Sequence, residues 1–225
     1  MEYDIECRPS YSLVEIHLEP GESFVADSGA MTWRSPTIEM ETSTRGGILT
    51  GLKRKVLAGE SFFQNRFTAA QGAGSVGLAA GAAGDVVPLH LDGEELFLEK
   101  GAYLASTDGV TCDAKWDGLR GLFNEGMFVL RCSGTGLLFF QAYGEIQEIE
   151  VDGEHVVDNG YAVAWEPGLS YRITKARRIR SFLFSDQLLL RFSGKGKLWV
   201  QTRSARALAS FAHPFRSVQS SNSNN

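Results

Sequence analysis

One long segment occurs twice in this chain, and this internal repeat constrains the fold more than any other feature of the sequence. Residues 86–101 return as residues 146–160, one residue shorter, and Asp92-Gly93 in the first copy matches Asp152-Gly153 in the second. A shorter version of the same pattern occurs at residues 14–26. Repetition on this scale is typical of one structural unit that has been duplicated and packed against its copies.

Apolar and polar residues alternate through most of the chain, and this pattern predicts β-strands. In residues 13–18, for example, Val14, Ile16 and Leu18 fall on one face of the expected strand. The chain holds 25 glycines against 6 prolines, as expected of a fold that turns often and tightly. The repeat and the alternation together predict an all-β fold of internally repeated units.

A Gly-x-Gly motif recurs in each of the three repeat regions. The three pairs are Gly72 and Gly74, Gly134 and Gly136, and Gly194 and Gly196. A phosphate-binding loop needs a helix after the glycines, whereas a strand pattern follows each of these pairs. We therefore interpret the motifs as hairpin turns whose backbone requires positive φ.

Helical periodicity is confined to two short segments. One covers residues 48–57, and the other begins at residue 203, with Ala205, Leu208 and either Phe211 or Ala209 expected to face inward. No linker long or polar enough to divide the chain is evident, so residues 1–216 are predicted to form one domain. Residues 217–225 are polar and of low complexity, and we expect a disordered tail there.

The composition and the scattered histidines argue against several classes of function. A net charge of −5 disfavours a general binder of nucleic acid or of anionic membranes. A cupin-like metal site needs two neighbouring histidines on one strand, whereas the histidines here stand singly at positions 17, 90, 155 and 213. No serine lies in a Gly-x-Ser-x-Gly elbow. We therefore expect no metal, no cofactor and no enzymatic activity.

The three cysteines and the N-terminus bear on localisation. Cys7, Cys112 and Cys132 are odd in number and lack metal-binding spacing, so we expect all three to be reduced thiols. The N-terminal residues lack the architecture of a signal peptide, and no apolar run approaches the ~18 residues of a spanning helix. These features predict a cytoplasmic protein.

Two basic segments are candidate surfaces. Their residues are Lys53, Arg54, Lys55, Arg177, Arg178 and Arg180. The first segment lies among apolar residues and would suit anionic headgroups, although we favour a helix that caps the β core. The second lies close to Tyr171 and has the pattern of single-strand binding, which the acidic total opposes. We therefore do not expect nucleic acid or a membrane surface to be the main partner.

Several motifs resemble one known family. They are Arg45-Gly46-Gly47 with Gly51-Leu52-Lys53-Arg54, Gly59-Glu60-Ser61-Phe62-Phe63, and Phe139-Phe140-Gln141-Ala142-Tyr143-Gly144. Over about residues 3–185 the chain resembles a bacterial-type member of the altered-inheritance-of-mitochondria (number twenty-four) family, whose bacterial members were long filed as a domain of unknown function. Its mitochondrial relatives are tied to inner-membrane organisation.

The resemblance implies a fold related to the tryptophan RNA-binding attenuation protein, in the double-stranded β-helix class, with pseudo-threefold repeated units. It carries no established catalytic residues. A shared fold does not transfer a function, so RNA binding does not follow from it.

Small residues dominate positions 69–84, where backbones from two sheets or two subunits can approach closely. Folds with exposed strand edges commonly close them by assembling, and a trimer suits a pseudo-threefold unit. We therefore predict a non-enzymatic scaffold or protein-interaction module that self-assembles. The alternative function is a binder of a small ligand, RNA or an anionic membrane surface, through a basic patch or a cleft between repeat units.

Overall fold

The computed structural model describes residues 1–43, 64–114, 129–175 and 188–216, which form an all-β protein with one short α-helix. The first strands are β1 (Glu2–Glu6), β2 (Leu13–Leu18), β3 (Ser23–Asp27), β4 (Met31–Arg34), β5 (Glu39–Ser43), β6 (Gln64–Thr68), β7 (Gly74–Ala79) and β8 (Val86–Glu99). They are followed by β9 (Tyr103–Thr107), β10 (Val110–Ala114), β11 (Val129–Gln141), β12 (Ile146–Asp158), β13 (Ala162–Trp165), β14 (Leu169–Lys175) and β15 (Leu188–Gln201). The helix is α1 (Ala205–Ala212), and 3-10 turns span Lys100–Ala102 and His213–Phe215.

The described strands form two antiparallel sheets. The smaller sheet has the order β1-β2-β7-β4. The larger follows β12-β15-β13-β8-β11-β9-β3-β6-β5, with β10 added beside β11 and β14 beside β15. The predicted all-β class is therefore confirmed. The predicted helix over residues 48–57 and the predicted tail at residues 217–225 lie outside the described residues.

Two long strand pairs repeat the same pattern of partners. Strand β8 pairs with β11, and β11 also pairs with β9 and β10. Strand β12 pairs with β15, and β15 also pairs with β13 and β14. The repeat in the sequence thus coincides with a repeat of strand pairing in these two regions.

The predicted hairpin turns are wrong at two of the three Gly-x-Gly motifs, because the chain does not reverse there. Gly134 and Gly136 lie inside β11, and Gly194 and Gly196 lie inside β15. All four have the expected positive φ. A Cβ on Gly134 would overlap the carbonyl oxygen of Gly109, so the glycine is required by a close approach of two backbones.

The core consists of three clusters of buried apolar side chains. The first lies between the smaller sheet and β3 and β6, where Phe24 stacks on Phe67 with ring centroids 5.1 Å apart. The second surrounds β8, β9, β10 and β11. The third surrounds Trp165, which is 1% exposed and meets Phe192 edge-on at 5.4 Å. These clusters hold the ends of the strand pairs in fixed positions.

The prediction that all three cysteines are reduced thiols is wrong for two of them. The register of β10 on β11 places Cys112 opposite Cys132 with their Cα atoms 4.0 Å apart, and the two side chains form a disulfide. Cys7 is exposed and unpaired. Disulfides persist mainly in oxidising compartments, so the cysteines no longer support a cytoplasmic location, which stays a prediction.

The predicted C-terminal helix exists, but its predicted inward face is wrong. No residue of α1 is buried, and Leu208 and Phe211 are 51% and 71% exposed. Ser204 caps the helix by accepting a hydrogen bond from the Ala207 N–H. Within the described ranges, no helix is long and apolar enough to cross a membrane.

Candidate functional site

A cleft of about 260 Å³ lies where the ends of several strands meet, and we call it the junction cleft. Most of its lining side chains are small. The lining residues are Ala80, Gly81, Ala82, Glu99, Gly101, Ala102, Gln141, Ala142, Tyr143, Ala162, Val163, Gln201 and Ala205. They come from the β7–β8 loop, the end of β8 with the Lys100–Ala102 turn, the end of β11 with the segment after it, the start of β13, the end of β15 and the first residue of α1.

Two glutamines of the junction cleft make the same contact in two repeat units. The Gln141 Nε2 atom donates to the Gly101 carbonyl at 3.0 Å, and the Gln201 Nε2 atom donates to the Gly160 carbonyl at 2.8 Å. The two glutamines occupy equivalent positions of the sequence repeat. Each glutamine therefore binds the end of a long strand to the turn that precedes one of its partner strands, which is β9 for β11 and β13 for β15.

The two glutamine side chains differ in their oxygen atoms. The Gln201 Oε1 atom accepts from the Tyr143 N–H at 2.8 Å, which ties the end of β15 to the segment after β11. The Gln141 Oε1 atom is buried and has no hydrogen-bond partner among the described residues. Buried acceptors are nearly always hydrogen-bonded in folded proteins, so this oxygen is a place in the site where hydrogen bonding is incomplete.

The wall of the cleft made by residues 80–82 is held by a backbone bridge immediately after it. The Gly144 N–H donates to the Ala83 carbonyl, and the Asp85 N–H donates to the Gly144 carbonyl, each at 2.9 Å. A parallel bridge joins Gly84 to Gly144, and it passes so close to Ala142 that a Cβ on Gly84 would overlap the Ala142 carbonyl oxygen. Only glycine fits at position 84 without moving the cleft wall.

The carboxylate of Asp85 anchors the same bridge to the N-terminal region. It accepts from Arg8 Nε at 2.8 Å, from Arg8 Nη2 at 2.9 Å and from the buried Ser12 hydroxyl at 2.9 Å. Its own chain adds the Val86 N–H at 2.8 Å. Burial by itself would raise the pKa of Asp85, but the hydrogen bonds from Arg8, Ser12 and Val86 together lower the pKa below its usual value.

Neutralising Asp85 is expected to destabilise the fold. Asp85→Asn should lower the free energy of unfolding at neutral pH by about 2 kcal/mol, because hydrogen bonds to a charged group are lost. A lowered folded-state pKa gives a stabilisation that is complete above the unfolded aspartate pKa of about 3.9 and disappears as the pH falls through the folded value. Urea unfolding from pH 7 to pH 2 measures both effects.

The control for this experiment is Asp152→Asn, which removes a carboxylate whose side chain is 81% exposed. We expect its acid profile to follow that of the unsubstituted protein. The free energies of unfolding of the unsubstituted protein and of Asp85→Asn are compared as the pH falls. If both decrease equally steeply, the role given to this carboxylate is wrong.

The helix α1 begins at the rim of the junction cleft and carries an exposed apolar face. We call Leu208, Phe211 and Phe215 the terminal helix face; they are 51%, 71% and 77% exposed. The rings of Phe211 and Phe215 lie 5.7 Å apart, so the two aromatic side chains form one surface. Large apolar side chains grouped in this way typically mark an interaction surface.

The charge around the terminal helix face differs in sign from that of the rest of the chain. Residues 203–216 contain Arg203, Arg206 and Arg216 and no acidic residue, which gives a net charge of +3. The rest of the chain carries 19 Lys and Arg against 27 Asp and Glu, which gives −8. A surface that covers this helix is therefore expected to be acidic.

The sequence-predicted surface residues Lys53, Arg54, Lys55, Arg177, Arg178 and Arg180 all lie outside the described residues. Three basic residues near the second segment, on β14 and β15, are described, and each is paired with an acidic residue of β12. Arg172 contacts Glu154 at 3.2 Å, Lys195 contacts Asp152 at 3.2 Å and Lys197 contacts Glu148 at 2.8 Å. The positive charges of these three residues are therefore balanced by neighbouring carboxylates.

The small residues at positions 69–84 include the cleft wall at residues 80–82, but neither the junction cleft nor its anchor at Asp85 was predicted from the sequence. The equivalent placement of Gln141 and Gln201 was a usable signal, because each follows a Gly-x-Gly motif at the same interval. The contact between Arg8 and Asp85 joins residues 77 positions apart and left no local signal. Among the described residues, no group of three or more His, Cys, Asp or Glu side chains could hold a metal ion.

A comparison with protein families identifies the relatives of this chain. The family described as "Mitochondrial biogenesis AIM24" matches residues 3–203. The chain belongs to the AIM24 family. The resemblance inferred from the sequence motifs is thereby confirmed.

Two bacterial proteins with AIM24-like sequence or structure extend this assignment. An uncharacterized protein of Streptococcus pyogenes serotype M6 is 29% identical over 213 residues, which is 90% of this chain and 86% of that protein. The crystal structure of a Streptococcus pyogenes protein superposes with a TM-score of 0.80 at 27% identity. The superposition covers 96% of this chain and 99% of the streptococcal chain, so the AIM24 fold described above is shared over nearly its full length.

Proposed function

We propose that this chain is a non-enzymatic scaffold of the AIM24 family that assembles into a homo-oligomer through its C-terminal helix. The observation that carries the proposal is the terminal helix face, which exposes a leucine and two phenylalanines on α1 and the 3-10 turn after it, neither of which has a buried residue. An isolated helix as short as α1 is only marginally stable in water, since most helical stability comes from packing an apolar face. Assembly supplies that packing.

The charge distribution supports a second copy of the chain as the partner. The helix region carries +3, and the remainder of the same chain carries −8. A second copy therefore offers an acidic surface for the arginines that flank the terminal helix face. Closed assemblies of identical subunits are also the commonest form of oligomer, and a trimer is the number that the sequence analysis favours.

The architecture that we propose for this scaffold is a double-stranded β-helix of pseudo-threefold units, related to the tryptophan RNA-binding attenuation protein. The equivalent sets of partner strands around β11 and β15 support it, as do the equivalent contacts of Gln141 and Gln201. Such a unit provides a rigid frame on which a short helix is presented to its partner. The polar side chains of the junction cleft serve this frame by binding backbone groups.

Removing the terminal helix face is expected to abolish assembly. The double variant Leu208→Gln/Phe211→Gln should sediment as a monomer at concentrations where the unsubstituted chain is an oligomer, because the apolar surface that drives association is lost. Sedimentation equilibrium over a hundredfold range of concentration measures the change. Circular dichroism checks that both proteins remain folded.

The matched control is Met40→Gln, which removes an apolar side chain that is 40% exposed on β5. We expect this variant to assemble like the unsubstituted chain. If the unsubstituted chain is monomeric throughout, or if the helix variant and the control assemble equally well, the proposed function is wrong.

A further inference from the structure

We propose that the terminal helix face of one copy docks over the junction cleft of a second copy, with Phe211 and Phe215 seated against the small side chains of that cleft. This inference rests on the proposed function and goes further, because it names the surface that receives the helix. Two features without a described partner in a single chain, an exposed aromatic surface and a cleft lined mostly by small side chains, then have one explanation.

The shape and chemistry of the cleft fit an aromatic side chain. Residues Gly81, Ala82, Ala142 and Ala162 give it walls without bulky side chains, and its volume of about 260 Å³ suits a compact group. Interface hot spots commonly consist of aromatic anchors that fill desolvated pockets on the partner. Phe211 and Phe215 are such anchors, since they present adjacent rings on one side of the helix end.

The position of the helix allows each copy both to donate a helix and to receive one. Ala205 lines the cleft of its own chain, and Phe211 lies near the other end of α1, about 9 Å further along at the α-helical rise of about 1.5 Å per residue. When the helix of one copy covers the cleft of another, the receiving copy's own helix starts beside it. Helix and cleft thus form one continuous patch, and each copy in a closed assembly uses both its helix and its cleft.

Electrostatics favours the same arrangement. The receiving cleft is lined by Glu99, and Glu145 is exposed just beyond the lining residue Tyr143. The incoming segment brings Arg206 and Arg216 and no carboxylate. Opposite charges at the rim direct association and suppress the wrong orientation, while the apolar centre supplies the affinity.

The test uses two full-length variants that each lose one half of the contact. Gly81→Phe fills the cleft, and a Cβ at Gly81 meets no other atom of the described residues within 4 Å, so the backbone accepts the substitution. Phe211→Ala/Phe215→Ala removes the anchors and leaves the cleft intact. Each variant alone should dissociate at least about 30-fold more readily than the unsubstituted chain, as for a hot-spot residue. Gly81→Ala serves as the positional control and should assemble normally.

Mixing the two variants is the decisive step. The Gly81→Phe chain keeps a competent helix, and the Phe211→Ala/Phe215→Ala chain keeps a competent cleft, so we expect a 1:1 heterodimer by sedimentation velocity and native mass spectrometry. A mixture that stays monomeric while the unsubstituted chain assembles would overturn the docking site. Unaltered assembly of a folded Gly81→Phe variant would overturn it as well, and both results differ from a monomeric unsubstituted chain, which rejects the proposed function itself.

Discussion

Gly84→Ala is expected to lower the free energy of unfolding by about 4 kcal/mol, a size reached by few single substitutions. The new Cβ would overlap the Ala142 carbonyl oxygen and would lie 2.7 Å from the Gly144 amide nitrogen. Both obstacles are backbone atoms of residues whose N–H groups are hydrogen-bonded, Ala142 to Asp85 and Gly144 to Ala83, so no side chain can rotate away to make room. The segment must shift, and the bonds that join Asp85 to Gly144 and to Ala142 must lengthen or break.

Gly81→Ala is the matched control for this experiment, because it adds the same methyl group in open space on the same segment. We expect it to change the free energy of unfolding by less than about 0.5 kcal/mol. Urea unfolding monitored by tryptophan fluorescence measures both variants under the same conditions. Equal stabilities for the two alanine variants would contradict the close approach of the two segments beside the junction cleft.

Removing the disulfide between Cys112 and Cys132 is expected to have the second largest effect. The bond closes a loop with a sequence separation of 20 residues, and the loss of that constraint on the unfolded chain corresponds to about 3 kcal/mol. Cys112→Ala/Cys132→Ala should therefore unfold at a lower urea concentration than the oxidised protein. Addition of a strong reductant to the unsubstituted protein should move its transition in the same direction.

Cys7→Ser is the control for the disulfide experiment, since Cys7 is exposed and unpaired. Its unfolding should match that of the unsubstituted protein in the absence and in the presence of reductant. Mass spectrometry after alkylation in denaturant counts the thiols directly, and we expect one alkylated cysteine in the oxidised protein. Three alkylated cysteines, together with an unchanged unfolding midpoint in reductant, would contradict the pairing.

The sequence was sufficient to predict the strands but not their long-range partners. Strand alternation is a local property, and the pattern around Val14, Ile16 and Leu18 correctly predicted β2 with those side chains buried. The facing positions of Cys112 and Cys132 depend on the register of β10 on β11, which local alternation does not specify. For the same reason the disulfide between Cys112 and Cys132 was not predicted.

The Gly-x-Gly motifs illustrate a different limit. Positive φ was predicted correctly for Gly134 and Gly136, but glycine is favoured both by turns and by close approaches that leave no room for a Cβ. At Gly134 the neighbouring carbonyl of Gly109 shows that a close approach of two backbones is present. The helix α1 shows the same limit. Periodicity predicts that the helix has an apolar face but does not specify which surface covers that face.

Native mass spectrometry of the protein isolated gently from its own cells tests the central claim most directly. We expect the unsubstituted protein to be a discrete homo-oligomer without an adduct and the Leu208→Gln/Phe211→Gln variant to be a monomer. A monomer that carries a bound small molecule, lipid or RNA fragment would contradict it and would favour a binding function for the junction cleft.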